Sequence, residues 1–76
     1  MKTVTFYTKS GCHLCDAVES TLVAVGRLRP FRLVRRVISE DPADYEKYRH
    51  DIPVVLVDGV EVARHRLSHQ QLIDAL

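Results

Sequence analysis

Val54-Val55-Leu56-Val57, the dipeptide Asp58-Gly59 and then Val60-Glu61-Val62 leave the chain one economical course, which is to double back on itself. Both central positions of a type I′ turn need positive φ, and Asp-Gly is among the pairs that accept it, so the segment reads as a two-residue β-hairpin. Upstream, Lys2 to Thr8 is rich in β-branched and aromatic residues and reads as a strand. Phe31 to Ile38 reads as another, with Arg32, Arg35 and Arg36 suited to a sheet edge, where charge discourages pairing with other chains.

Helical periodicity fills the gaps. From Cys12 onward Leu14, Ala17, Val18, Leu22 and Val25 share one face, and Asp16, Glu19 and Ser20 the other. That helix must stop by Pro30, with Gly26 a possible earlier end. Asp41 can cap a second helix with Pro42 in its first position and Tyr45 and Tyr48 on one face as packing residues. Ser68 and Gln71 form a capping box and Leu67 and Leu72 a hydrophobic staple for a third, running to Leu76. The order is β-α-β-α-β-β-α. Its first βαβ unit implies a parallel pair, and the hairpin adds antiparallel strands. We therefore expect one α/β domain over residues 1–76, a four-stranded mixed sheet with helices on both faces.

Seventy-six residues bury only about 60 % of their unfolded surface, so the stability margin is thin. Cys12 and Cys15 are the only cysteines, yet as a staple they are badly placed. A disulfide across so short a loop is worth roughly 2 kcal/mol by chain entropy, against about 4.7 for a hundred-residue loop. A formal charge of +1 gives no global attraction to nucleic acid or anionic lipid. The run Arg27, Arg29, Arg32, Arg35 and Arg36 is balanced by nearby acids and reads as a solvated edge. Nothing resembles a signal peptide or a membrane span, so no membrane partner and a cytoplasmic location are expected, where paired cysteines are reduced unless they work catalytically or bind metal.

The pair falls where the first strand ends and the first helix begins. Free N–H groups and the helix dipole stabilise an anion there, so the Cys12 thiol should ionise well below the ~8.5 reference. Lys9 acts in the same direction and Asp16 against it, from a position where solvent screens it. Cys15, one turn later on the same face, is within reach of a disulfide and should be more shielded. Cys12 is then the attacking thiol and Cys15 the resolving one. His13 can help hold the thiolate by a hydrogen bond or a positive charge, and Lys9 can meet a substrate carboxylate.

The stretches Tyr7-Thr8-Lys9-Ser10-Gly11-Cys12-His13-Leu14-Cys15-Asp16 and Asp51-Ile52-Pro53-Val54-Val55 make the chain resemble the glutaredoxin-like branch of the thioredoxin-fold superfamily over essentially its whole length. The resemblance implies a thioredoxin-like fold and thiol-disulfide oxidoreductase activity without a bound cofactor. It also implies that Pro53 is a cis proline facing the cysteines and that the backbone of Ile52 pairs with an extended substrate. Typical members carry Pro-Tyr between the cysteines, where this chain has His13-Leu14. They also carry a glutathione-binding Gly-Gly and acidic pair, where this chain has Ala63-Arg64-His65-Arg66-Leu67-Ser68. Of the usual glutathione contacts only Lys9 is present, which weighs against glutathione as reductant and brings in thioredoxin reductase as a competing electron donor. The expected partners are a disulfide-containing protein or small molecule and that donor, with the chain acting as a monomer.

Two other readings stand beside this one. Cys12, Cys15, His65 and His69 could form a Cys2His2 zinc set, although far more residues separate its halves than in a zinc finger, and the primary expectation is no metal. The chain could also be an interaction module that keeps the fold without redox activity.

Overall fold

The computed structural model describes residues 1–76. Its elements are β1 (Thr3–Thr8), α1 (His13–Leu28), β2 (Arg32–Val37), a 3-10 turn (Ile38–Glu40), α2 (Pro42–Tyr48), β3 (Val54–Val57), β4 (Val60–Arg64) and α3 (His69–Ala75). The strands lie in the order β2-β1-β3-β4. β1 pairs with β2 in parallel and with β3 antiparallel, and β3 pairs antiparallel with β4, so the sheet is mixed. The helix between β1 and β2 supplies the crossover that a parallel pair requires.

Alternation along the strands separates two cores. Val4 and Phe6 of β1 with Val55 and Val57 of β3 face α1 and α3, meeting Cys15, Val18, Leu22, Val25 and Leu72. On the other face Val54 packs with Ile38 and Tyr48, joined by Tyr7, Ile52 and Leu56. Helices therefore cover both faces. Tyr7 and Tyr48 stack with ring centroids 4.2 Å apart, which fixes α2 against the sheet.

Local chemistry sets the boundaries. Asp58 and Gly59 take φ of 48° and 81°, the pair of positive values that a type I′ turn needs. Ser68 and Gln71 form the reciprocal capping box of α3, and Asp41 caps α2 through the Ala43 and Asp44 N–H groups. β2 lies at the sheet edge, where its Arg35 reaches Glu19 and its Arg36 reaches Asp41 and Asp44.

As Pro30 requires, α1 ends at the Arg29 cap, because the residue before a proline is pushed out of the helical region; the possible earlier end at Gly26 is passed through. Other expectations need correction. Leu14 is 43 % exposed and Ala17 is also exposed, because the head of α1 turns Cys15 rather than Leu14 into the main core and leaves Ala17 at the margin of the buried face. Tyr45 is exposed while Tyr48 is buried, because a helix as short as α2 turns only part of its face inward. Ile38 leaves β2 for the 3-10 turn and is fully buried, anchoring the smaller core. β4 continues to Arg64 through an irregularity opposite Val55 and Leu56.

Candidate active site

The site is built at the β1–α1 junction. β1 ends at the buried Thr8, and Gly11 then turns the chain at a φ of +75°. A Cβ there would have nothing within 4 Å, so the backbone angle rather than space calls for glycine. Cys12 is the N-cap of α1, with extended dihedrals of −97° and 107°. Its Sγ accepts the Cys15 N–H at 3.1 Å, and its carbonyl accepts the Asp16 N–H at 3.1 Å. The two cysteines are joined by a disulfide, with Cα atoms 5.2 Å apart. Cys15 is 2 % exposed within the main core, whereas Cys12 is only partly buried against it. A partly buried cysteine and a fully shielded one thus stand a helical turn apart.

A second segment closes on the same core. The Ile52–Pro53 peptide bond is cis. Pro53 is buried, and Ile52 packs against the cluster that holds Cys15 and borders Cys12. The Ile52 N–H donates to the Tyr48 carbonyl at 3.2 Å, while its own carbonyl accepts no backbone hydrogen bond. Of the two groups expected to pair with an extended substrate, the carbonyl is the free one. The Pro53 carbonyl accepts the His65 N–H at 2.8 Å, tying this loop to the segment after β4.

Arg64 is the residue that sequence reasoning passed over. Its guanidinium donates to both oxygens of Glu61, at 2.6 and 3.0 Å, and stands 3.0 Å from Asp51, the residue before Ile52. On a regular strand residues 61 and 64 would face opposite sides. The irregularity pairs Glu61 with Leu56 and Arg64 with Val54, which share one face of β3. Hydrogen bonding to Arg64 holds the Glu61 carboxyl below the usual carboxylate range, and Glu61, then Asp51, raises Arg64 further.

Lys9 is exposed, its Nζ 5.9 Å from the centre of the Tyr45 ring, which Arg49 also approaches at 5.4 Å. His13 is exposed in the first position of α1, and the N–H that meets Cys12 Sγ comes from Cys15. His65 lies in the segment before α3 at a φ of 65°, and His69 opens α3. No three His, Cys, Asp or Glu side chains are gathered to hold a metal ion, so the Cys2His2 set is not assembled. No helix is long and apolar enough to cross a membrane.

Known proteins with this architecture include Protein Ne2328 from Nitrosomonas europaea, 21 % identical with a TM-score of 0.83 over 99 % of this chain and 91 % of that one. Thioredoxin 1 from Thermosipho africanus TCF52B is 17 % identical with a TM-score of 0.67, over 96 % and 88 % of the two chains. Fasciola hepatica thioredoxin is 19 % identical with a TM-score of 0.65, over 96 % and 75 %. At these identities the likeness is one of fold, and the fold is thioredoxin-like. The family model described as glutaredoxin-like domain (DUF836) matches residues 3–76, which together with the disulfide-forming pair at the head of α1 supports a redox type of role, and the chain belongs to that family.

Proposed function

We propose that this chain is a small dithiol carrier that reduces disulfides in proteins or small molecules. The observation that carries the reading is the Cys15 N–H aimed at Cys12 Sγ at the head of α1, with Cys12 only partly buried and Cys15 in the core. A thiolate at Cys12 accepts that N–H as a charge-assisted bond, which favours the ionised sulfur both as nucleophile and as leaving group.

In the reduced chain the Cys12 thiolate attacks one sulfur of the substrate disulfide. A mixed disulfide forms and the other substrate sulfur leaves as a thiolate, which takes up a proton. Cys15 then gives up its proton and attacks Cys12 Sγ, expelling the second substrate thiol. Two electrons and two protons pass to the substrate, and the Cys12–Cys15 disulfide remains. The free Ile52 carbonyl is suited to meet an extended substrate, and Lys9 a carboxylate. No resident cofactor takes part. Glutathione, or thioredoxin reductase drawing on NADPH, would restore the dithiol, and the chain would work as a monomer in the cytoplasm.

The test is a trap. Cys15→Ser should hold disulfide-linked partners through Cys12, and Cys12→Ser should hold none. If the Cys15→Ser protein captures nothing from a cell extract rich in disulfides, the carrier reading fails and a redox-silent module takes its place. Offering glutathione with its reductase, and separately thioredoxin reductase with NADPH, identifies the donor that keeps the pair reduced.

A further inference from the structure

An open groove of about 370 Å³ lies between the first turns of α1, the helix that Cys12 caps, and the segment joining β4 to α3. From α1 it takes Leu14, Ala17, Val18 and Thr21, and its other wall is His65, Arg66 and Leu67. Leu14 stands between the two cysteines in sequence, directly before Cys15, and presents an apolar side chain that is 43 % exposed. Val18 and Leu67 are buried and give the groove an apolar base.

The charge on its wall is of one sign. Arg35, Arg36 and Arg64 are each paired with a carboxylate, but Arg66, which lines this groove, has no such partner. By helical period the nearest acids on α1, Asp16 and Glu19, fall on the far side from Leu14, Val18 and Thr21, and Glu19 is taken by Arg35. The wall is also held in place. The His65 N–H donates to the Pro53 carbonyl at 2.8 Å and the Arg66 N–H to the Arg64 carbonyl at 2.7 Å. The basic residues are thereby tied to the loop that carries the cis proline.

We propose that this groove receives a segment of the disulfide-bearing partner in which an apolar residue is flanked by acidic ones. The apolar side chain rests on Leu14, Val18 and Leu67, and a carboxylate pairs with the Arg66 guanidinium, which can take it bidentately. Its volume suits one or two side chains, at the lower end of ordinary binding pockets. That the segment belongs to a redox substrate rests on the carrier reading above.

Three disulfide-linked peptides of one length, bearing Glu, Gln or Lys around a central Leu beside the cysteine, test the proposal. In kcat/KM the acidic peptide should exceed the basic one about tenfold at low ionic strength, and salt at about 0.5 M should bring the ratio towards one. Arg66→Glu should invert the order. Because the ratio is read within one protein, a change in its overall activity cancels. A ratio near one in the unmodified chain, or a preference unchanged in Arg66→Glu, overturns the proposal while leaving the carrier reading intact. If the chain reduces neither these peptides nor bis(2-hydroxyethyl) disulfide, the carrier reading fails, and docking is then judged by binding alone. The acidic peptide with its cysteine alkylated should shift the amide resonances of Thr21, Arg66 and Leu67; the absence of such shifts removes the docking surface as well.

Discussion

At the head of α1 a sulfur sits where oxygen sits in the other two helices. Ser68 accepts the Gln71 N–H at 3.0 Å and Asp41 accepts the Ala43 N–H at 2.8 Å, whereas at α1 Cys12 Sγ accepts from Cys15. A neutral thiol is a weak acceptor and a thiolate a strong one, so this cap favours ionisation. Alkylation of the reduced chain by iodoacetamide should therefore proceed in mildly acidic buffer; reactivity confined to alkaline buffer would reject the account. Cys12→Ser keeps a good cap, because serine is among the preferred N-cap residues. It should lose all disulfide exchange while melting close to the reduced parent. Tyr7 offers a different titration. Burial, then the neighbouring Tyr48 and Asp44, raise its phenol above the ordinary value, against a smaller opposing effect of Arg36. The folded state thus favours neutral Tyr7, and this contribution is whole below a pH of about 10 and lost as pH rises through the folded value. Tyrosinate absorbance should show a late-ionising component that Tyr7→Phe removes.

Among the elements, α1 shows both the strength and the limit of periodicity. Val18, Leu22 and Val25 are buried as their spacing predicts, but at the head of the helix Cys15 takes the buried position while Leu14 and Ala17 of the same stripe stay exposed. A stripe says which side faces inward and not where its margins lie. Gly26 sits inside this helix, and a Cβ there would meet the Phe31 ring at 3.4 Å, an ordinary contact. Gly26→Ala should accordingly stabilise the chain by about 0.5–1 kcal/mol, read as a rise in Tm. In β4 the irregularity brings Arg64 to Asp51 and Glu61 on a partly exposed surface. Exposed pairs are worth little, so Arg64→Ala should cost less than about 1 kcal/mol. Its clearer effect should be a raised KM, through a loosened Asp51-Ile52-Pro53 loop. Glu61 has a lowered folded value, so its contribution exists above the ordinary carboxylate range and is lost as pH falls through the folded one. Arg64→Ala should remove that part of the acid dependence of stability, and acid unfolding curves for the two proteins decide it.

For the whole molecule, two small cores share one sheet, so few residues carry much of the stability. Phe6 is fully buried in the larger core, and Phe6→Ala should cost about 3–5 kcal/mol. In a chain this short that is a large part of the total, and thermal unfolding followed by circular dichroism should show a collapse of Tm or an unfolded variant at room temperature. A smaller loss would mean that α1 and α3 settle into the space. The order and type of the elements, the Asp58-Gly59 turn, the caps at Asp41 and Ser68 and the position of Cys12 and Cys15 at a helix head were legible in the residues alone. Each depends on dihedral preference, hydrogen bonding or periodicity within a few positions of the chain. Tertiary structure decided the exposure of Leu14 and Tyr45, the partner of the Ile52 N–H, the meeting of Arg64 with Asp51 and the groove between α1 and Arg66. Those depend on contacts between residues remote in sequence, which no local pattern encodes.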